Sequence, residues 1–169
     1  VFHVGFGPTS FCLHEVAMTV DLSHIPARQS WMGILARAEP EVLAQHLARN
    51  EPLPSFTFLR RPETGLSMVR GRVGADGEAF NFIETTLTRA SVTDDAGHVG
   101  HGYILGRNED HAVLAARLDA ALQDPARRDA LMTTVIAPLQ ALESIRHAAV
   151  EARAAETEVR FFTMATGRL

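Results

Sequence analysis

From Pro26 to Ala38 the apolar residues recur at Trp31, Ile34, Leu35 and Ala38, one stripe of an amphipathic helix. Glu39-Pro40 restarts a second helix with proline in its first turn and a stripe of Leu43, His46 and Leu47. Asn50 to Ser55, with two prolines, reads as a linker. The period then falls to two. Phe56 and Phe58 alternate with polar neighbours over Ser55 to Arg61, and Leu66 to Val73 reads as a strand. Gly74-Ala75-Asp76-Gly77 turns it into Glu78 to Ile83. Thr86 to Thr93 is a further strand, turned by Asp94-Asp95-Ala96-Gly97 into Val99 to Leu105. The C-terminal third returns to helical spacing. Glu109 to Gln123 carries Val113, Leu114, Leu118 and Leu122. Ala126 to Ala137 carries Leu131, Val135 and Ile136 and is expected to end at Pro138. Gln140 to Ala155 carries Leu142, Ile145, Ala149 and Ala152 at heptad-like spacing, a stripe suited to its own sheet or to a second copy. Glu158 to Met164 has β character, with Phe161, Phe162 and Met164 expected in the core. The expected fold class is α+β: an antiparallel sheet built from tandem hairpins, flanked by N-terminal and C-terminal helices.

Residues 1–17 break this pattern. VFHVGFGPTSFCLHEVA has neither helical period nor alternation, and no Arg or Lys precedes Arg28, so it does not read as a signal peptide. Met18 opens a polar stretch like an ordinary protein start. Residues 1–17 are therefore expected to be a non-native or disordered extension, and residues 18–169 a single domain. The rival reading is a genuine extension that packs on a partner.

Composition narrows the function classes. The chain has 169 residues, 46% hydrophobic and 21% charged, which suits one globular domain with a real core. A net charge of −4 disfavours a free-standing nucleic-acid binder. Cys12 is the single cysteine, which excludes an internal disulfide and a cysteine-rich zinc site. All 16 basic side chains are arginine, which excludes Schiff-base chemistry and a P-loop lysine. No apolar run approaches the ~20 residues of a membrane span, so no membrane partner is expected.

Few residues announce chemistry. His98 and His101 are three apart, so in a strand they point to opposite faces and share a metal only if His98 sits in the turn. Glu109-Asp110-His111 diverges on a helix, and its acids suit the positive end of that helix. No metal site is expected, and no nucleophile elbow is present. The arginines are more informative. Arg70 and Arg72 are two apart and are expected on one strand face with Leu66 and Met68; Arg89 is mid-strand; Arg107 follows Gly106 before a helix start. Such guanidinium groups either pair with acids on a solvated face or serve anions and a partner surface.

Short motifs then fall in a specific order. RQSWM stands at Arg28–Met32, ETGL at Glu63–Leu66 and TLTRA at Thr86–Ala90. GYILGR at Gly102–Arg107, followed by His111, precedes IAPL at Ile136–Leu139 and FFTM at Phe161–Met164. In this order and at these intervals they closely resemble the PhnG family, the small G subunits of the bacterial carbon–phosphorus lyase system for phosphonate breakdown. The resemblance runs from about Arg28 to Gly167. The family's usual start, shortly before the RQSWM segment, agrees with Met18 as the native beginning.

The resemblance implies a cytoplasmic subunit of alpha-D-ribose 1-methylphosphonate 5-triphosphate synthase, acting with the PhnH, PhnI and PhnL subunits. There a phosphonate displaces adenine from the ribose of ATP. It also implies a place in a lyase core with PhnH, PhnI, PhnJ and PhnK, two copies of each core subunit. ATP is expected as a substrate of the complex, with no cofactor on this chain alone. No catalytic residue follows from the family. Displacing adenine passes through an oxocarbenium-like ribose, and the substrates carry a triphosphate and a phosphonate, which arginine forks suit. Arg72, Arg89 and Arg107 are therefore candidates for anion binding or for fastening the chain to the I subunit, the second being preferred. His111 is a candidate proton donor to adenine, with a capping or structural use preferred. A pure scaffold that touches no substrate is the alternative.

Overall fold

A computed structural model describes residues 25–72 and 77–158. The chain runs α1 (Ile25–Arg37), α2 (Pro40–Leu47), β1 (Phe56–Arg72), β2 (Ala79–Asp94), β3 (Val99–Leu105), α3 (Glu109–Ala121), α4 (Pro125–Leu131) and α5 (Ala137–Ala155). The three strands form one antiparallel sheet in the order β1-β2-β3. This is the α+β arrangement the periodicity implies.

The strands are fewer and longer than the alternation suggests. The segments expected from 55 and from 66 fall on one 17-residue strand, Phe56–Arg72, and those expected from 78 and from 86 on one 16-residue strand, Ala79–Asp94. Pro62 reads as a break because it has no N–H to donate. It lies instead where the register slips between Arg60 and Glu63, on a strand at the sheet edge, so the ladder continues past it. A further slip between Val69 and Arg70 places its extra residue, Phe82, on β2, so along β1 the alternation that puts Arg70 and Arg72 on the face of Leu66 and Met68 continues. The turn after β2 forms as expected. Asp94 Oδ1 accepts from the backbone N–H groups of Ala96 and His98, and Gly97 takes a positive φ of 87°. Residues 73–76 of the first turn lie outside the described residues.

Helix α3 lies on the inner face of β2 and β3, over buried Ala90, Val92 and Ile104. The approach is close enough to need glycine on the strand. A Cβ at Gly100 would stand 1.9 Å from the Ala116 carbonyl oxygen, and one at Gly102 2.0 Å from that of Ala112. Trp31, Ile34 and Leu35 of α1, Leu43 of α2, and Leu131, Val135, Ile136 and Leu139 complete one core.

Pro138 does not end a helix. Between α4 and α5 the chain makes a π turn, Met132–Ile136, whose Ala137 N–H reaches the Met132 carbonyl. Pro138 cannot donate to Thr134, and the widened turn carries the helix past it into the first turn of α5. Of α5, only Leu139 is buried; Leu142 and Ile145 of the heptad-like stripe stand in solvent, as do Ala149 and Ala152. The stripe therefore does not pack on the chain's own sheet. The expectations for residues 1–17 and for Phe161, Phe162 and Met164 fall outside the described residues.

Candidate functional site

Two polar hubs hold the motif segments together, and neither was singled out in the sequence. The first is Asp119 of α3, fully buried. Its carboxylate accepts from Arg28 Nε at 3.1 Å and Nη2 at 2.7 Å, from Trp31 Nε1 at 2.9 Å and from the His101 backbone N–H at 2.9 Å. Arg28 Nη2 also donates to the Val99 carbonyl at 2.8 Å, and so does Gln123 Nε2. RQSWM is thus a lock between α1, α3 and the start of β3: its Arg and Trp meet one acid. The signal in the sequence is an acid within an otherwise alanine- and leucine-rich helix stripe, which no surface position accounts for.

The second hub is Thr88, also fully buried. Its hydroxyl donates to the Gly106 carbonyl at 2.7 Å and accepts from the Asn108 backbone N–H at 3.3 Å. Its single proton is committed there, so Thr64 Oγ1, 2.9 Å away, is the donor between the two threonines. ETGL, TLTRA and the end of GYILGR meet at this one hydroxyl.

The candidate residues divide between these segments. Arg72 ends β1 and donates Nη1 to the Gly77 carbonyl at 3.2 Å. Arg89 lies opposite Glu63 on one side and Tyr103 on the other. Its Nε donates to Glu63 Oε1 at 2.7 Å, and Arg60 Nη1 donates to the same oxygen at 2.8 Å. The hydrogen bonds from Arg89 and then Arg60 hold the Glu63 carboxyl below its usual pKa. Arg107 follows Gly106, whose φ is 92°, and its exposed guanidinium has no partner among the described residues. Arg72 pairs in register with Ala79, ten positions along β2 from Arg89, or about 30 Å at strand rise. The structure therefore does not gather the three arginines into one pocket.

His111 is buried and committed. Its backbone N–H donates to Asn108 Oδ1, the cap of α3, at 2.9 Å, and its ring Nε2 lies 2.9 Å from the Leu35 carbonyl. A carbonyl only accepts, so Nε2 carries the proton. Burial pushes the pKa of the ring below its ordinary value. Within this chain the geometry is that of a clip between α1 and α3. Glu109 and Asp110 occupy the first turn of α3, where the helix dipole favours them. His98 pairs with Asp94 Oδ2 at 2.9 Å and His101 with Ser91 Oγ at 2.9 Å, so the two imidazoles serve different neighbours.

The surface of the described residues carries several open grooves. A shallow recess along β1 and β2 is lined by Glu63, Thr64, Ser67, Leu87 and Arg89. A polar groove of 470 Å³ runs between α1 and α5, lined by Gln29, Ser30, Arg37, Glu143, His147 and Glu151. Among the described residues no helix is long and apolar enough to cross a membrane.

Comparison with known proteins agrees with the order of the motifs. A family model described as "Phosphonate metabolism protein PhnG" matches residues 26–167. A protein of Rhizobium meliloti (strain 1021), "Alpha-D-ribose 1-methylphosphonate 5-triphosphate synthase subunit PhnG", is 40% identical over 156 residues, covering 90% of this chain and 97% of that relative. The segments joined by Asp119 and Thr88 fall inside both matches, and the chain belongs to the PhnG family of phosphonate metabolism.

Proposed function

We propose that the chain is a required, non-autonomous subunit of the cytoplasmic assembly in which a phosphonate displaces adenine from the ribose of ATP, acting with the H, I and L subunits. The 40% identity to a protein named as a subunit of that synthase supports the assignment. ATP is a substrate of the assembly, and the chain binds no cofactor of its own. The observation that carries the division of labour is the scatter of the candidate residues. Arg89 is paired with Glu63, His111 is buried against α1, and Arg72 lies far along the sheet. A chain so arranged supplies surface and single cations to a site completed elsewhere. Arg107 and Arg72 fasten it to the I subunit; a substrate anion at the subunit boundary is the alternative use of the same groups.

A second reading, a scaffold that meets no substrate, draws support from the motif residues themselves. Arg28, Trp31, Thr88 and His111 all serve internal contacts. The test is co-expression of the chain, begun at Met18, with its H, I and L partners, and an assay for adenine released from ATP and methylphosphonate. Adenine release that requires this chain establishes the first reading; Arg107→Ala that loosens the complex then establishes the fastening role, and Arg107→Ala that lowers release within an intact complex establishes the anion use. An unchanged turnover in every intact complex establishes the scaffold.

A further inference from the structure

The paired register of β2 with β3 ends at Leu87, and beyond it β1 and β2 continue as a two-stranded arm among the described residues, Leu66–Arg72 with Ala79–Thr86. A hairpin standing alone in water is marginally stable at best. This one also exposes apolar side chains on both sides, with Thr86 and Glu84 opposite Leu66 and Met68 on one of them. Leu66 and Met68 share one face and are 69% and 50% exposed. Val69 and its cross-strand partner Ile83 share the other and are 40% and 55% exposed. Nearer the tip, Phe80 and the 69% exposed Phe82 make an edge-to-face pair at 6.1 Å. The exposed patch continues across Leu87 to Leu105 and Tyr103 of β3.

We propose, resting on the assembly role above, that this arm inserts into an apolar cleft of a different protein subunit of the same synthase. The two-sided exposure sets the shape of the receiving surface. A partner laid against one face leaves the other in water, so the arm is enclosed. A stable interface takes about 800 Å² from each partner, and burying both faces of the arm together with Tyr103 and Leu105 approaches that more closely than burying one face. Two copies stacked arm to arm cover one face each.

The two recesses beside α1 on a second copy do not suit the arm, and the exposed α5 stripe of Leu142 and Ile145 offers a surface that covers one face of it only. The groove between α1 and α5 has polar walls of Gln29, Ser30, Arg37, Glu143 and His147. The apolar pocket beside β3, lined by Met32, Leu35, Ala36 and Tyr103, is 220 Å³. That is below the roughly 300 Å³ at which small-ligand sites begin, and far below the volume of a two-stranded ribbon. The arm's own arginines suit the mouth of a cleft on another subunit. Among the described residues, exposed Arg70 and Arg72 each donate to one backbone carbonyl, of Ala79 and Gly77, and each guanidinium has further N–H donors to offer acceptors there.

The test uses the full chain co-expressed with the other synthase subunits. Phe82→Ser and Val69→Ser are compared with wild type for the strength of complex formation, with amide hydrogen exchange read along the arm and adenine release measured in parallel. The expected result has three parts: each variant binds its partners at least tenfold more weakly, each melts like wild type as an isolated chain, and arm amides exchange at least tenfold more slowly in the wild-type complex. Unchanged affinity with unchanged arm exchange overturns the proposal, and so does a wild-type homodimer abolished by Phe82→Ser. If the variants bind normally while wild-type complexes release adenine, the arm assignment fails and the assembly role stands. If the wild-type chain enters no complex, both fail.

Discussion

Two regions of this molecule finish their surfaces differently. Where α3 lies on β2 and β3, the fit is tight and the two polar hubs are satisfied, while Arg117 of α3 lays its guanidinium over the Phe56 ring and leaves its buried Nε without a hydrogen bond among the described residues. Gly100 and Gly102 admit the helix backbone, Asp119 takes four hydrogen bonds, and Thr88 uses its donor and both acceptor positions. The arm and the outer part of α5 are the opposite. Their apolar side chains, Leu66, Phe82, Ile145 and Val150 among them, are largely exposed. The inner region has the features of a fold that holds itself; the outer region has those of half an interface. The difference teaches where a substitution acts: on folding in the first region, on assembly in the second.

The largest expected effect breaks the inner region at its buried acid. Asp119→Ala leaves the Trp31 indole, the His101 amide and the Arg28 guanidinium without their acceptor. Removing one partner of a buried charged pair destabilises by about 3–5 kcal/mol, and the value here belongs near the lower end because the Arg28 side chain is 32% exposed. Urea unfolding of the isolated chain measures it. Gly102→Ala comes next. Its methyl would meet the Ala112 carbonyl at 2.0 Å, so α3 must shift off the strand, at about 2–3 kcal/mol by the scale of overpacked cores. The same unfolding curve checks it, and Gly65→Ala on the open part of β1, where nothing lies within 4 Å, is the control.

The contrast also explains what was legible beforehand. Helices with buried stripes announce themselves: Trp31, Ile34 and Leu35 recur at helical spacing because one face meets the core. The strands were cut too finely because Pro62 and the polar Glu84-Thr85 look like breaks, whereas bulges and an open sheet edge absorb them. Pro138 looked like a stop because a π turn leaves no mark in apolar periodicity. Asp119 and Thr88 escaped notice for another reason: a hub is defined by what converges on it from distant segments, and each is one ordinary polar letter in its own. The arginines were legible as cations but not as a constellation, because their separation is set by strand length and register. The α5 stripe was read correctly as apolar, yet periodicity does not say what covers it.

A smaller effect sharpens the inner side of the comparison through pH. The buried His111 ring holds its proton less tightly in the folded chain than in the unfolded one. Below the unfolded value near 6.5 the unfolded chain therefore binds more protons, and stability falls as pH falls. The slope is at most about 1.4 kcal/mol per pH unit for one group and ends at the folded pKa. Above 6.5 His111 contributes no slope. His111→Gln keeps an N–H donor for the Leu35 carbonyl but does not titrate. Urea midpoints at pH 7.5 and 5.5 should thus fall more in the wild-type chain than in the variant, the remaining histidines being common to both.

The smallest effect lies at the junction of the two regions. Glu63 is exposed, and Arg89 and Arg60 share its carboxylate. Their hydrogen bonds lower its pKa, so whatever the cluster adds to stability is fully present above the unfolded value of 4.5 and is lost as pH falls through the folded one. Exposed ion pairs contribute little because water already solvates both partners and salt screens them. Arg89→Ala should leave the urea midpoint of the isolated chain at pH 7 within error, and the small acid-limb difference from wild type should shrink further in 0.5 M salt. If the midpoint drops as it does for Asp119→Ala, Arg89 belongs with the self-supporting inner region. If folding is untouched while complex formation weakens, Arg89 belongs with the arm, and the unfinished region extends along the outer face of the sheet as far as Tyr103.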